Sequence, residues 1–219
     1  MTFNAVIFDL DGTLLDTLQD IFNTLNSLLA RHGYPVHTID ECRFLVGEGM
    51  KELVRKALPE GLGTPATVDI LLPEFMEHYA DNWNIHSRPY SGIASLLDNI
   101  AARRIKMAIL SNKADQFTHL CAEVLLKEWR FDVVMGHQSG IAHKPDPEGA
   151  LLVARMLGEA PSKILYVGDS GIDMLTATRA GMYPLGVLWG FRPESELLEF
   201  GAKGLVRRPE EIIGILKQG

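Results

Sequence analysis

Val6-Ile7-Phe8-Asp9-Leu10-Asp11-Gly12-Thr13-Leu14 is an apolar run that ends in two carboxylates and a glycine. A run this short, closed by a turn signal, reads as a strand buried on both faces, the kind found in parallel sheets. Ligands of open α/β sheets bind beyond the carboxyl ends of the strands, which places Asp9 at a binding edge. Alternation along an extended segment would put Asp9 and Asp11 on one side, close enough to share a reaction centre. A calcium loop, which often begins Asp-x-Asp, fails on spacing. Its sixth position needs Gly, whereas counting from Asp9 that position is Leu14, and an apolar strand rather than a helix leads in. A solvated turn after a strand is the other competing reading.

Outward from this stretch, further strand-like runs lie at residues 107–110, 133–135, 164–167 and 185–188. Helix-compatible stretches at 93–104, 115–127, 148–157 and 172–180 alternate with them, as in a parallel sheet covered on both faces. The expected fold class is therefore α/β. Between residues 17 and 88 no strand signal appears, and Ile21, Leu25, Leu28 and Leu29 follow helical spacing. A helical block separating the first strand from all the others reads as a second domain inserted after it. Arg88-Pro89-Tyr90-Ser91-Gly92 would be the returning linker.

With 219 residues, 47% of them hydrophobic and 22% charged, the chain can bury a core and falls outside disordered and fibrous compositions. A net charge of −7 disfavours a nucleic-acid surface, which needs clustered Lys and Arg. A small soluble substrate fits better. Met1-Thr2-Phe3-Asn4 has no charged leader, and the apolar run stops at Asp9, short of a signal peptide or membrane span. A cytoplasmic protein without membrane contact, monomeric or homodimeric, is expected. Cys42 and Cys121 form no CxxC pair and have no His at metal-ligand spacing, so both read as buried small hydrophobes.

Three more segments carry chemistry. Ile109-Leu110-Ser111-Asn112-Lys113 ends a strand in a hydroxyl and an amide, both able to bond phosphate oxygens, although Ser-Asn after a strand is also a common helix cap. His143-Lys144-Pro145-Asp146-Pro147 sets a lysine before a rigid Pro-x-Pro, where its ammonium could neutralise a phosphoryl group and Asp9. A lone loop lysine is otherwise usually solvated. Tyr166-Val167-Gly168-Asp169-Ser170-Gly171-Ile172-Asp173 brings Asp169 to the same sheet edge as Asp9, and two or three oxygen ligands with waters suit magnesium. Asp173, one helical turn later, could support that shell; the competing reading is a turn with an N-cap. Four strand ends, each with residues that one phosphoryl-transfer site needs, outweigh the separate bland readings.

In this order along the chain, the four segments resemble the haloacid dehalogenase superfamily of phosphatases, and the resemblance spans essentially the whole sequence. Asp9-Leu10-Asp11-Gly12-Thr13 matches the family's Asp-x-Asp-Gly-Thr signature, and the other three match its weaker motifs. The resemblance implies a Rossmann-like parallel sheet core from residues 1–16 and 89–219, with an inserted all-helical cap at 17–88 that closes over it and selects substrate. It further implies Asp9 as nucleophile and metal ligand, and Asp11 as general acid and base and as a ligand through its carbonyl. Asp169 would be the third protein ligand for Mg2+. Ser111, Asn112 and Lys144 would hold the phosphoryl group, with Lys144 also orienting Asp9. The nearest resemblance is to phosphoglycolate phosphatases and their pyrophosphatase-like relatives. It rests on Val46-Gly47-Glu48-Gly49, Leu53-Val54-Arg55-Lys56-Ala57-Leu58, Ser111-Asn112-Lys113 and Leu188-Trp189-Gly190-Phe191-Arg192. A small phosphorylated metabolite is the implied partner.

Glu48 is a candidate for substrate selection: a carboxylate on a cap loop facing an anion repels it unless a cation intervenes, and the alternative is a solvated helix-start residue. Dehalogenases of the same superfamily have no need of a second acid at the Asp11 position. A sugar phosphomutase shares nucleophile, acid and metal, and differs in what the cap admits. A phospho-accepting signalling module also ends a strand in Asp, but has no use for a cap. A binding protein without catalysis conflicts with the occupancy of every catalytic position.

Overall fold

The computed structural model describes residues 2–216. In chain order the elements are β1 (Ala5–Phe8), β2 (Leu15–Asp16), α1 (Leu18–Arg31), α2 (Ile39–Leu45), α3 (Met50–Ala57), α4 (Pro65–Asn82) and β3 (Arg88–Pro89). There follow α5 (Ile93–Ala102), β4 (Lys106–Ala114), α6 (Asp115–Leu125), β5 (Val133–His137), α7 (Glu148–Leu157) and β6 (Ile164–Gly168). The chain continues through α8 (Gly171–Arg179), β7 (Tyr183–Val187), α9 (Glu194–Glu199), β8 (Gly204–Val206) and α10 (Glu210–Leu216). Six strands form one sheet in the order β5-β4-β1-β6-β7-β8, and every neighbouring pair is parallel. The fold is thus α/β with a Rossmann-like sheet, and the helices α1 to α4 fall between β1 and the remaining strands of that sheet.

Alternation along the central strands divides the core between the two faces of the sheet. Val6, Phe8, Met107, Ile109, Leu165 and Val167 pack on one side, with α5, α6 and α10. Ala5, Ile7, Ala108, Leu110, Ile164 and Tyr166 pack on the other, against Ala150, Val153 and Ala154 of α7 and Ala177 of α8. Alanines on the second face let those two helices lie close to the strands.

Asp20 of α1 ties the two crossings between core and helical block. It is buried, and its carboxylate accepts from the backbone N–H of His86 and Ser87 and from Ser87 Oγ at 2.7 to 3.0 Å. Backbone and hydroxyl donors satisfy the buried charge where a cation is absent. Beside it, β2 and β3 pair antiparallel, Leu15 with Pro89 and Asp16 with Arg88, so the returning linker is a two-stranded ribbon rather than free chain. Leu15 and Asp16, too short a run to show periodicity, and the glycine-led β8 gave no strand signal in the sequence.

Cys42 and Cys121 are buried and free, and burial pushes both thiols up to about 12. They are unreactive packing residues. Among the described residues no helix is long and apolar enough to cross a membrane.

Candidate active site

β1 neighbours β4 on one side and β6 on the other, so the crevice at its carboxyl end is the topological switch point of the sheet. Asp9 follows β1 directly, Ser111, Asn112 and Lys113 lie in the carboxyl-terminal part of β4, and Asp169 follows β6. The β4–β5 register shifts between Leu110 and Ala114. This irregularity breaks strict alternation, and Ser111, Asn112 and Lys113 all line one cavity with Asp9 and Asp11. The chain also leaves extended geometry after Phe8: the N–H groups of Thr13, Leu14 and Leu15 converge on the Leu10 carbonyl. A tight turn, rather than continued strand alternation, therefore aims Asp9 and Asp11 at the same cavity.

Asp9, Asp169 and Asp173 are buried and offer carboxylate oxygens within 4.8 Å of one another. Lys144 stands among them, its Nζ 2.9 Å from Asp9 Oδ1 and 2.7 Å from Asp173 Oδ1. Three carboxylates against one ammonium leave an excess of two negative charges. Burial and then the Asp173 charge push the Asp9 carboxyl up to about 7. Burial, Asp173 and Asp9 push Asp169 up to about 8, against the opposing pull of the Phe191 N–H. Burial alone would favour neutral Lys144, but Asp173 and Asp9 override it and hold the ammonium well above its ordinary range.

Lys144 Nζ meets Asp9 Oδ1 as an ion pair outside hydrogen-bond alignment, and that oxygen has no other donor. A buried anionic oxygen without a donor, in an all-oxygen set with excess negative charge, fits a hard divalent cation. Asp173 is already committed. Its Oδ1 is taken by Lys144, and its Oδ2 accepts from Ser170 N and Oγ in the capping box of α8. It braces Lys144, while Asp9 Oδ1 is the carboxylate oxygen of the cluster left without a donor, and the nearest oxygens of Asp9 and Asp169 lie within 4.8 Å of each other. Asp169 is itself held by Thr13 Oγ1 at 3.2 Å and the Phe191 N–H at 2.7 Å.

Gly12 makes room for Asp169. Its φ is +86°, and a Cβ there would lie 2.3 Å from Asp169 Oδ2. Gly12→Ala must displace that carboxylate, and a misplacement of the order of 1 Å can cost about 10²-fold in rate. A loss of about that size in turnover, with an unchanged far-UV circular dichroism spectrum, is expected. Wild-type turnover would show that the position of Asp169 is unimportant.

Asn112 acts as a brace in this structure. Its amide donates to the carbonyls of Gly47 and Lys144 and accepts from the Lys144 N–H, tying β4 to the helical block and to the lysine loop. Ser111 Oγ accepts from the Lys113 N–H, which leaves its own proton for another acceptor. Glu48 lies outside the cavity lining, on the flank beside Glu52 and His143, and its carboxylate pairs with Lys56. The intervening cation that a carboxylate near an anionic substrate requires is thus present in the same helical block.

Lys113 has a place in the site that the sequence reading did not assign. Its side chain is 2% exposed, and Nζ lies 3.1 Å from both oxygens of Asp11 and 2.8 Å from the Tyr79 hydroxyl on α4. Thr17 Oγ1 donates to Asp11 as well, at 2.8 Å. Tyr79 stacks on Phe75 and meets Phe117 of α6 edge-on, so the ammonium sits at an aromatic seam between helical block and sheet layer. A third consecutive polar residue at the end of an apolar strand was the available signal. The rest of the cavity wall is apolar, with Ile21, Val46, Met50, Leu53 and Phe75.

The profile of the haloacid dehalogenase-like hydrolases matches residues 6–187. The chain is 33% identical over 217 residues, 99% of its length and 96% of the relative's, to an N-acetylmuramic acid 6-phosphate phosphatase of Pseudomonas aeruginosa. It is 31% identical over 209 residues, 95% of its length and 94% of the relative's, to a phosphoglycolate phosphatase of Xanthomonas campestris. The crystal structure of a candidate phosphoglycolate phosphatase from Lactobacillus delbrueckii subsp. bulgaricus superposes with a TM-score of 0.91, at 30% identity and full coverage of both chains. The chain belongs to the haloacid dehalogenase-like hydrolase family. Within it, the chain is an enzyme of the phosphatase type, similar to the phosphoglycolate phosphatases.

Proposed function

We propose that this protein is a magnesium-dependent phosphatase that hydrolyses a small phosphomonoester, phosphoglycolate or a similar small anionic phosphate, through an aspartyl-phosphate on Asp9. The observation that carries the reading is the buried Asp9 carboxylate beside Lys144, in an all-oxygen cluster that opens on a mostly apolar cavity. The similarity to phosphatases of two small phosphate esters supports it.

Asp9 attacks phosphorus, the phosphorus–oxygen bond to the leaving group breaks, and Asp11 gives its proton to the departing oxygen. Asp11 then takes a proton from water as that water attacks the phosphorus of the aspartyl-phosphate, releasing phosphate and restoring Asp9. Lys144 neutralises charge on the phosphoryl oxygens, the Ser111 hydroxyl donates to them, and Asn112 keeps Lys144 and the 46–49 loop in place. Mg2+ held by Asp9, Asp169 and the Asp11 carbonyl would supply the remaining neutralisation of phosphoryl charge. Residues 17–88 would act as the cap that selects the leaving group, residues 1–16 and 89–219 as the catalytic core, and the location would be cytoplasmic.

The test is phosphate release by the purified protein from phosphoglycolate, pyrophosphate, sugar phosphates and nucleoside monophosphates, with magnesium and with excess chelator. Release confined to small anionic monoesters, silenced by chelator and restored by magnesium, is expected. Full activity in chelator, or an isomerised sugar phosphate as product, would sink the reading.

A further inference from the structure

Arg192 links the carboxylate cluster to the loop that walls the cavity. Its backbone neighbour Phe191 donates its N–H to Asp169 Oδ2. From the same loop the Arg192 side chain, 10% exposed, crosses to the end of α2. There the guanidinium donates to the carbonyls of Arg43, Phe44 and Val46, the last at 2.6 Å, and lies 5.4 Å from the centre of the Phe44 ring. These are terminal carbonyls of a helix, which have no intrahelical donors and carry the negative end of its dipole. A planar fork of donors suits several at once, whereas an ammonium does not.

The base of the side chain is fixed to the cluster a second time. Arg192 Nε lies 3.5 Å from Glu196, whose other carboxylate oxygen accepts from the N–H of Gly171, two residues after Asp169. Val46, whose carbonyl is the last one clamped, and Gly47, Gly49 and Met50 just beyond it line the cavity. Among the described residues, Asn112 is the other core side chain bonded to this loop, through Gly47.

We infer that Arg192 is a positioning residue that transmits the state of Asp169 to the 43–49 segment. Ordering of Asp169 by a cation orders the 189–192 loop, and the guanidinium carries that order to the cavity wall against which the leaving group packs. This deepens the phosphatase reading and rests on it for its kinetic consequence. Its structural consequence can be read without turnover.

Hydrogen exchange of wild type, Arg192→Ala and Arg192→Lys, each with magnesium alone and with chelator, tests it. In wild type, magnesium should slow exchange in residues 43–49. In Arg192→Ala that segment should exchange faster and become indifferent to magnesium, with β1 protection unchanged; Arg192→Lys should restore only part of the response. Kinetically, Arg192→Ala should raise KM for phosphoglycolate about tenfold or more, the scale of one lost charge-assisted bond, and leave a small aryl phosphate within about threefold. Magnesium protection of 43–49 retained in Arg192→Ala, absent in wild type, or lost together with β1 protection overturns the inference, as do equal losses on both substrates. A wild type that releases phosphate from neither substrate refutes the phosphatase reading, while the exchange comparison still decides the link.

Discussion

Asp9→Asn is expected to lower phosphate release by at least about 10³-fold, because an amide can neither attack phosphorus nor form the acyl phosphate. The same substitution is expected to leave the metal-free protein at least as stable as wild type. Asp9, Asp169 and Asp173 crowd within 4.8 Å around one ammonium, so a neutral amide removes repulsion from a buried cluster. With magnesium the order should reverse. A ligand that binds only the folded state stabilises by about 2.7 kcal/mol at a hundredfold excess over its dissociation constant, and the variant has lost one anionic ligand. Thermal unfolding of both proteins, with and without magnesium, alongside phosphate assays, separates these effects. Near-wild-type turnover would remove Asp9 from the mechanism. A large loss of metal-free stability would mean that the carboxylate is needed for the fold.

The central sheet was legible because its strands are buried on both faces, so each shows as a short apolar run with a turn signal behind it. The runs at 107–110 and 164–167 fall inside β4 and β6, but β4 continues through Ser111, Asn112 and Lys113 to Ala114, because these polar residues stay paired or bulged at the sheet edge, and β6 ends one residue later, at Gly168. The helix read at 93–104 ends at Ala102 instead, since Arg104 takes φ +57° and closes the turn onto β4. That read at 115–127 stops at Leu125, where Leu126 leaves helical geometry.

What stayed hidden depends on pairing between distant segments. The β2–β3 ribbon is two residues a side, and its register is set by the return of the whole helical block. Tyr79 lies 34 positions from Lys113, and Arg192 lies 146 from Val46. No periodicity records such contacts. A single aromatic on α4 reads as core, and a lone Arg in a loop reads as solvated.

Lys113→Met is expected to destabilise the protein by roughly 3–5 kcal/mol, the scale for leaving one partner of a buried ion pair without its counterion. The Asp11 side chain is 13% exposed, and after the substitution it keeps only Thr17 Oγ1 among its present side-chain partners, while the Tyr79 hydroxyl loses its contact across the seam. Burial by itself would lower the Lys113 pKa; Asp11 and Tyr79 instead hold it above the ordinary lysine range. Turnover should fall as well, by about 10²-fold or more, because an unanchored Asp11 no longer delivers and retrieves its proton along one path. Unfolding by denaturant and phosphate release, measured on Lys113→Met, Asp11→Asn and the double variant, distinguish the two roles. Most of the stability should return in the double variant, since neither charge is then left alone, whereas activity should stay at the level of Asp11→Asn. Additive stability losses would mean that the pair is not coupled, and a Lys113→Met protein with wild-type turnover would free Asp11 from any dependence on the lysine.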